Sequence, residues 1–426
     1  MFTLIFELAV MIKEILRTKI SFVTGLLLFV LQIILGTELM AQSSVNSKSL
    51  ESEGTTPAAA DSIPKMDRFT VRGYVKDMQI VGFRNLDMMT TDNLLHNRLN
   101  FRLYPDSHIT VGMEVRNRVF FGESINLNTA FATFQDQDDG LVDMSWRLID
   151  KRSLLMLTQI DRAWLHGNYG KWEARVGRQR INWGVNLFWN ANDLFNVYSL
   201  TDFDYEERPG TDAVRVQKYF ANYSSMDVAV QPGRDENSWI GAAMYKFNKW
   251  QYDFQVLGGW WNEDVATGAG WAGNFKGAGF KGEATYFHPQ DNWQDTTGVL
   301  SVSVSGDYVF GNGIFATTVF LFNSSGINKE LGRADNLFSQ PISAKNLFPT
   351  KYSFLLSLSK PFSPIISGSL VALYSPYVNS VLMMPSVNWV IANNWEFAFF
   401  AQTYFLEVEE FANIGNSVFL RFKYSF

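Results

Sequence analysis

A chain of 426 residues with 47% hydrophobic residues and a mean hydropathy of −0.06 is not a bundle of membrane helices, since each span would need an apolar run of about 20 residues. A formal net charge of −6 offers no basic surface for nucleic acid, and the absence of cysteine excludes disulfides, thiolate metal sites, a cysteine nucleophile and a lipidated N-terminal cysteine. Aromatics are abundant, with 36 Phe, 16 Tyr and 13 Trp; rings seated at two water–lipid boundaries would use such an excess.

Residues 1–41 read as a signal peptide. Lys13, Arg17 and Lys19 form its basic region, Ile20 to Leu35 its apolar region, and Ala41-Gln42 the cleavage point, with Met11 as the better start. Leu39, three residues before the cut, is larger than usual there, and an uncleaved anchor helix is the alternative. Residues 42–67 are rich in Ser, Thr, Ala and Glu and contain Pro57 and Pro64, the composition of a disordered segment.

From Arg68 onward short runs alternate between apolar and polar residues, broken by turn residues, with no sustained helical period. The pattern predicts an all-β, antiparallel up-and-down transmembrane barrel over 68–426. Strands are expected near 68–80, 93–104, 108–120, 153–167, 172–181, 211–221, 225–231, 238–247, 250–261, 266–275, 278–288, 297–310, 313–323, 350–360, 365–375, 379–391, 395–407 and 416–426. That makes about eighteen, or sixteen if the pair 225–231 and 238–247 is misread. Connections after even-numbered strands are compact, among them Pro105 to Ser107, Asn248-Lys249 and Asn393-Asn394. Those after odd strands include the long segments 121–152, 182–210 and 324–349. An even count puts both termini on the side of the short turns, the periplasmic side of such barrels. Aromatic pairs such as Tyr169/Trp172, Phe247/Trp250 and Trp389/Trp395 bracket these turns like a girdle.

In the last strand, Val418, Leu420, Phe422, Tyr424 and Phe426 share one face, with Arg421, Lys423 and Ser425 on the other. This ending resembles the C-terminal signature of outer-membrane barrels. The resemblance implies that Phe422, Tyr424 and Phe426 form the signal read by the outer-membrane assembly machinery.

Alternation also assigns side chains to the lumen. Arg72, Arg98, Arg102, Arg116, Arg118, Arg175 and Arg215 point inward, while their neighbours Leu99, Val115, Val119, Val176 and Val214 point out. A third of the wall thus carries a ladder of arginines with few acids to match. Such a wall attracts anions, and the planar guanidinium suits carboxylate and phosphate. The competing expectation is a bracing mesh of pairs such as Arg116–Glu114 and Arg175–Glu173.

The segment Gly177-Arg178-Gln179-Arg180, followed by Trp183-Gly184, Trp189 and Asn192-Asp193, leaves a strand for a loop dense in aromatics and amides. So apolar a loop is expected to fold into the barrel and constrict it. With Asp161 to Leu165 on the preceding strand, it resembles the alginate-export and related substrate-specific porin families over about residues 161–216. The resemblance implies an eighteen-strand diffusion pore for anionic or saccharide-like solutes. It also implies a constriction by Arg178, Gln179, Arg180, Trp183, Trp189 and Asp193. The chain departs from the alginate exporter in its charge, which thins after residue 300.

Enzymatic signals are weak. His96, His108, His166 and His288 show no metal spacing or triad context, Asp136 to Gly140 lacks the downstream glutamate of a calcium loop, and Gly311-Asn312-Gly313 is a hairpin turn. Residues 42–68 are too few for a folded plug. The expectation is a passive channel, porin or exporter, for small or anionic hydrophilic solutes. It needs no metal or cofactor, and its partners are the outer-membrane bilayer, its assembly machinery and the solutes. The alternatives are a non-transporting structural or docking barrel of an envelope or secretion assembly, and a barrel enzyme.

Overall fold

The computed structural model describes residues 68–85, 88–138, 140–197, 210–235, 237–291, 293–328, 342–407 and 409–426. The expectations for 1–41 and 42–67 lie outside the described residues. The strands are β1 (Phe69–Asn85), β2 (Met88–Leu103), β3 (Ile109–Gly122), β4 (Ser145–Lys151), β5 (Leu154–Tyr169) and β6 (Trp172–Gln179). There follow β7 (Thr211–Tyr219), β8 (Ser225–Gln231), β9 (Ile240–Lys249), β10 (Tyr252–Trp261), β11 (Asp264–Phe275), β12 (Ala278–Pro289) and β13 (Val299–Val309). The chain ends with β14 (Phe315–Asn323), β15 (Tyr352–Ser363), β16 (Ile366–Ser375), β17 (Ser380–Ala392), β18 (Trp395–Glu407) and β19 (Phe411–Ser425). Two short helices, α1 (Glu123–Leu127) and α2 (Phe131–Gln135), lie between β3 and β4.

Each wall strand pairs antiparallel with its neighbours, and β1 closes on β19 from Tyr74↔Ser425 to Phe83↔Asn416. The result is a closed barrel of eighteen staves. The eighteen expected strands are these staves, and the sixteen-strand alternative fails because β8 and β9 pair along Ser225↔Lys246 to Gln231↔Ile240.

The outer surface carries the apolar half of the alternation. Val176, Val214, Val256, Met383 and Val387 are exposed there, and Trp172, Trp250, Trp389 and Trp395 ring the short-turn end. Closure pairs each of the eighteen staves on both sides, as a sheet standing in hydrocarbon requires.

Two local differences have clear causes. The β9–β10 turn falls on Trp250-Gln251, both at positive φ (54° and 65°), rather than on Asn248-Lys249. Phe247 stacks on its cross-strand partner Phe254 at 5.5 Å, which holds β9 in register two residues further. Strand β4 was not expected at all. It pairs with the edge of β5 over Leu154–Gln159, above β6, which pairs only with Ala163–Tyr169.

The seam is finished by the last residue. Gly73 and Phe426 exchange backbone hydrogen bonds at 2.8 and 2.9 Å, and the Phe426 ring lies where a Cβ on Gly73 would project, 3.0 Å from it. Replacing Phe426 by Glu, or deleting it, is expected to reduce the yield of closed barrel several-fold. Heat-modifiable migration on gels measures that yield, and a normal yield would show that the seam closes without this residue.

Candidate functional site

The barrel interior holds the expected arginines, and their surroundings can be built strand by strand. In β2 and β3 the inward register brings Arg98, Arg102, Glu114, Arg116 and Arg118 together. β5 adds two charges in a row. A β-bulge lets Glu114 face Arg162 while Val115 faces Ile160, so Asp161 is the extra residue and both Asp161 and Arg162 reach the interior.

These acids balance much of the ladder. Arg98 binds Glu114 at 2.6 Å and Asp161 at 2.5 Å, and Arg116 binds Asp161 at 3.2 Å and Gln159 at 2.5 Å. Arg102 and Arg162 share Glu114, and Arg215 is paired with Asp227 from β8. The expected shortage of acids therefore holds only in part. Asp161 and Asp227 supply it from other strands, and Arg116 takes Asp161 rather than Glu114. Arg98 and Arg116 are almost fully buried, where removing one partner of such a cluster typically costs about 3–5 kcal/mol.

The accessible positive charge sits nearer the short-turn end. Arg102 and Arg175 flank the Trp164 indole at 5.0 and 4.5 Å from its centroid. The indole lies against Gly112, where a Cβ would come within 2.5 Å of it, so a larger residue would push the ring off the wall. Arg175 is paired in register with Arg215 and, among the described residues, has no carboxylate within ion-pair distance; Glu173 faces His166 at 3.5 Å instead. Arg72 is exposed in the inward register of Tyr74 and Lys76. Arg118 is placed differently. Its guanidinium donates to Gln135 Oε1 and to the Gln135 carbonyl at 3.0 and 2.7 Å, tying α2 to the wall.

Three connections from the long-loop end fold inside. α1 is held by Ser124, whose backbone N–H and hydroxyl donate to Asp92 at 2.9 and 2.6 Å, and α2 packs Phe131 on Phe120. The segment 181–197 is pinned by Glu283 of β12. This fully buried carboxylate accepts the backbone N–H of Val185, Asn186 and Asn192 at 2.5, 2.7 and 2.9 Å. Trp183 is buried, donates to Asp227 at 3.0 Å and meets Phe195 edge-on. Trp189 packs on Phe348 of the third connection, whose Lys345 binds Asp264. Asp193 is buried at a turn, where it accepts from Asn196 N–H at 3.4 Å. Residues 198–209 and 329–341, which belong to the expected long loops, lie outside the described residues.

Of the expected constriction residues, Trp183, Trp189 and Asp193 lie in this inward loop. Gln179 is buried at its root, donating to Ala213 O at 2.9 Å, and Arg180 is half-buried beside it. Arg178 is elsewhere. It continues the outward register of Trp172 and Val176 and is held by Asp212, Asp138 and the Val142 carbonyl. There it fastens Asp138 and Val142 ahead of β4. Burial pushes the Asp138 carboxyl up, but the Arg178 hydrogen bond and the Met144 and Gly140 N–H groups more than offset this, holding it below the usual carboxylate range. The neighbouring Asp136 accepts from Ser145 and Arg147, so these acids are structural fasteners.

Glu283→Ala would leave three backbone N–H donors without an acceptor, at about 1–3 kcal/mol for each of the two buried ones, Asn186 and Asn192. The 181–197 segment is then expected to become protease-sensitive in the folded barrel, with Glu283→Gln intermediate. Limited proteolysis checks this, and equal resistance of all three forms would remove Glu283 from the role of clamp.

No protein-family model matches the chain, and no curated protein matches it in sequence. The fold has solved counterparts. OccK9 (OpdG) of Pseudomonas aeruginosa superposes with a TM-score of 0.55 at 9% identity, covering 84% of this chain and 98% of that one. OccAB4 of Acinetobacter baumannii gives 0.53 at 10% identity, with coverage of 84% and 98%. The outer membrane protein OprD of Pseudomonas aeruginosa gives 0.52 at 7% identity, with coverage of 84% and 93%. At such identities the likeness is one of fold: the chain shares the eighteen-stave barrel of these proteins.

Proposed function

We propose that this chain is an outer-membrane channel through which small anionic hydrophilic solutes diffuse, steered by Arg72, Arg102, Arg175 and Arg215 past the inward 181–197 loop. The carrying observation is the surplus of positive charge around Trp164, where Arg175 has no carboxylate within ion-pair distance among the described residues. Fixed cations in a wide lumen raise the local anion concentration, and an unpaired guanidinium can still offer its fork to a carboxylate. Location in the outer membrane is supported by the apolar outer face, the closed barrel and the likeness to OprD. The signal peptide supports Sec-dependent export, and the Phe422–Tyr424–Phe426 ending supports delivery by the assembly machinery. The similarity to alginate-export channels supports the folded-in loop. The thin charge beyond residue 300 argues against a polyuronate as solute.

A second reading rests on the apolar clusters inside the barrel. Trp183, Phe195 and Phe287 gather on one side, Trp189, Phe348 and Leu382 on another, and Phe120, Leu157 and Phe400 on a third. An interior so filled suits a structural or docking barrel that passes nothing. Reconstitution in planar bilayers decides between the two: current steps with a preference for anions are expected, and a folded barrel without conductance would favour the docking role.

The triple variant Arg72, Arg102 and Arg175→Gln should lower the anion-to-cation permeability ratio. The drop should be larger in 0.01 M than in 1 M salt, where screening lengths are about 30 and 3 Å. A well-inserted triple variant with an unchanged ratio would reduce the ladder to bracing.

A further inference from the structure

On the outer face of β1, β2, β3 and β5, the apolar alternation is interrupted by a ribbon of polar side chains. Cα pairing places Asn97 beside Asn117, and Asn117 beside Thr158. These positions share the outward register of Leu95, Leu99, Val115, Val119, Met156 and Ile160. Four residues along, Gln79 is paired with Asn93 on the same face, with Asp77 between. The ribbon is internally bonded. Thr158 Oγ1 donates to Asn117 Oδ1 at 2.9 Å, Asn117 Nδ2 to Asn97 Oδ1 at 3.1 Å, and Asn97 Nδ2 to the Tyr74 carbonyl at 3.1 Å. Asn93 Nδ2 donates to Asp77 Oδ1 at 2.7 Å.

These bonds do not exhaust the groups present. Each amide nitrogen carries two hydrogens, and the bonds above use one from each. Asn93 is 4% exposed, and its Oδ1 accepts no hydrogen bond among the described residues. Taking the barrel as the membrane channel proposed above, this ribbon would meet hydrocarbon, which satisfies none of these groups. Aliphatic side chains flank the ribbon along the strands, and Trp146 of β4 closes its far end beside Thr158.

We infer that the β1–β5 face is an interface with a second copy of this chain, formed within the membrane. The ribbon's chemistry selects that occupant. An amide is both donor and acceptor, so a two-fold axis laying one row of Asn97, Asn117 and Thr158 on another sets donors against acceptors with no change of sequence. The aliphatic flanks then pack against the facing copy.

The chain has no cysteine, so a single introduced thiol reports cleanly. Full-length protein carrying Asn97→Cys or Asn117→Cys is oxidised in native membranes, with Val216→Cys on a distant outward position as control. Disulfide-linked dimers are expected from one or both ribbon variants and not from the control. Combined Asn97→Leu, Asn117→Leu and Thr158→Val should lower the dimer fraction of the otherwise wild-type chain about tenfold at low protein-to-lipid ratio. Heat-modifiable migration confirms that this variant still forms a barrel. Folded ribbon variants that give only monomer, or an adduct of another mass, overturn the interface. Ready labelling of the Val216→Cys control by a membrane-impermeant, water-borne thiol reagent would overturn the membrane reading itself, a separate failure.

Discussion

Everything in this barrel depends on one constraint, the pairing of every wall strand on both edges. β1 and β19 complete it through Gly73 and Phe426, so no stave presents a row of bare N–H and C=O groups. Once the backbone is satisfied within the sheet, the side chains have only two directions. Each strand sends alternate residues outward and inward, and a single extra residue exchanges the two faces. The bulge at Asp161 uses this rule to advantage, because it places two successive charged residues, Asp161 and Arg162, in the interior.

The interior that results is graded. Toward the middle, Arg98 and Arg116 are enclosed with Glu114 and Asp161, and the pairing there serves the wall. At the long-loop end Arg118 is used to hold α2. Near the short turns, around Trp164, positive charge exceeds its partners among the described residues. Burial therefore sorts one sequence motif into two kinds of residue: those whose charge is consumed by folding, and those whose charge remains to act on a solute. The loop clamp at Glu283 belongs to the first kind, since its carboxylate spends its acceptor capacity on three backbone N–H groups.

The strands were legible in the sequence because a period of two is written residue by residue. All eighteen staves, and the inward register of Arg98, Arg116, Arg175 and Arg215, follow from it. What stayed hidden depends on contacts distant in the chain. Asp161 and Asp227 are single acids whose pairing with Arg98, Arg116 and Arg215 appears only once the staves are ordered. Glu283 is a lone acid in β12 with no local mark of its role. β4 exists because β6 is too short to cover the upper edge of β5, a tertiary opportunity rather than a propensity. Arg178 is another case: positions 172, 174 and 176 already carry the outward phase, and extending it by one step places Arg178 away from the lumen.

Two departures from the alternation remain, and their fates differ. Inward apolar residues such as Val319, Leu355 and Phe400 would be out of place in a water-filled tube. The chain covers much of this surface itself, with α2, the 181–197 segment and residues 342–350 brought down from the long-loop end. Outward polar residues are the mirror image, misplaced against hydrocarbon as the inner leucines are against water. For Asn97, Asn117 and Thr158 the chain supplies only part of the answer, a row of hydrogen bonds that leaves amide protons unspent. Among the described residues, β4 comes beside the outer ones at one end, through the Trp146↔Thr158 pair. In the dimer inferred from this ribbon, a surface able to pair with itself makes a second copy sufficient cover for the rest of that face.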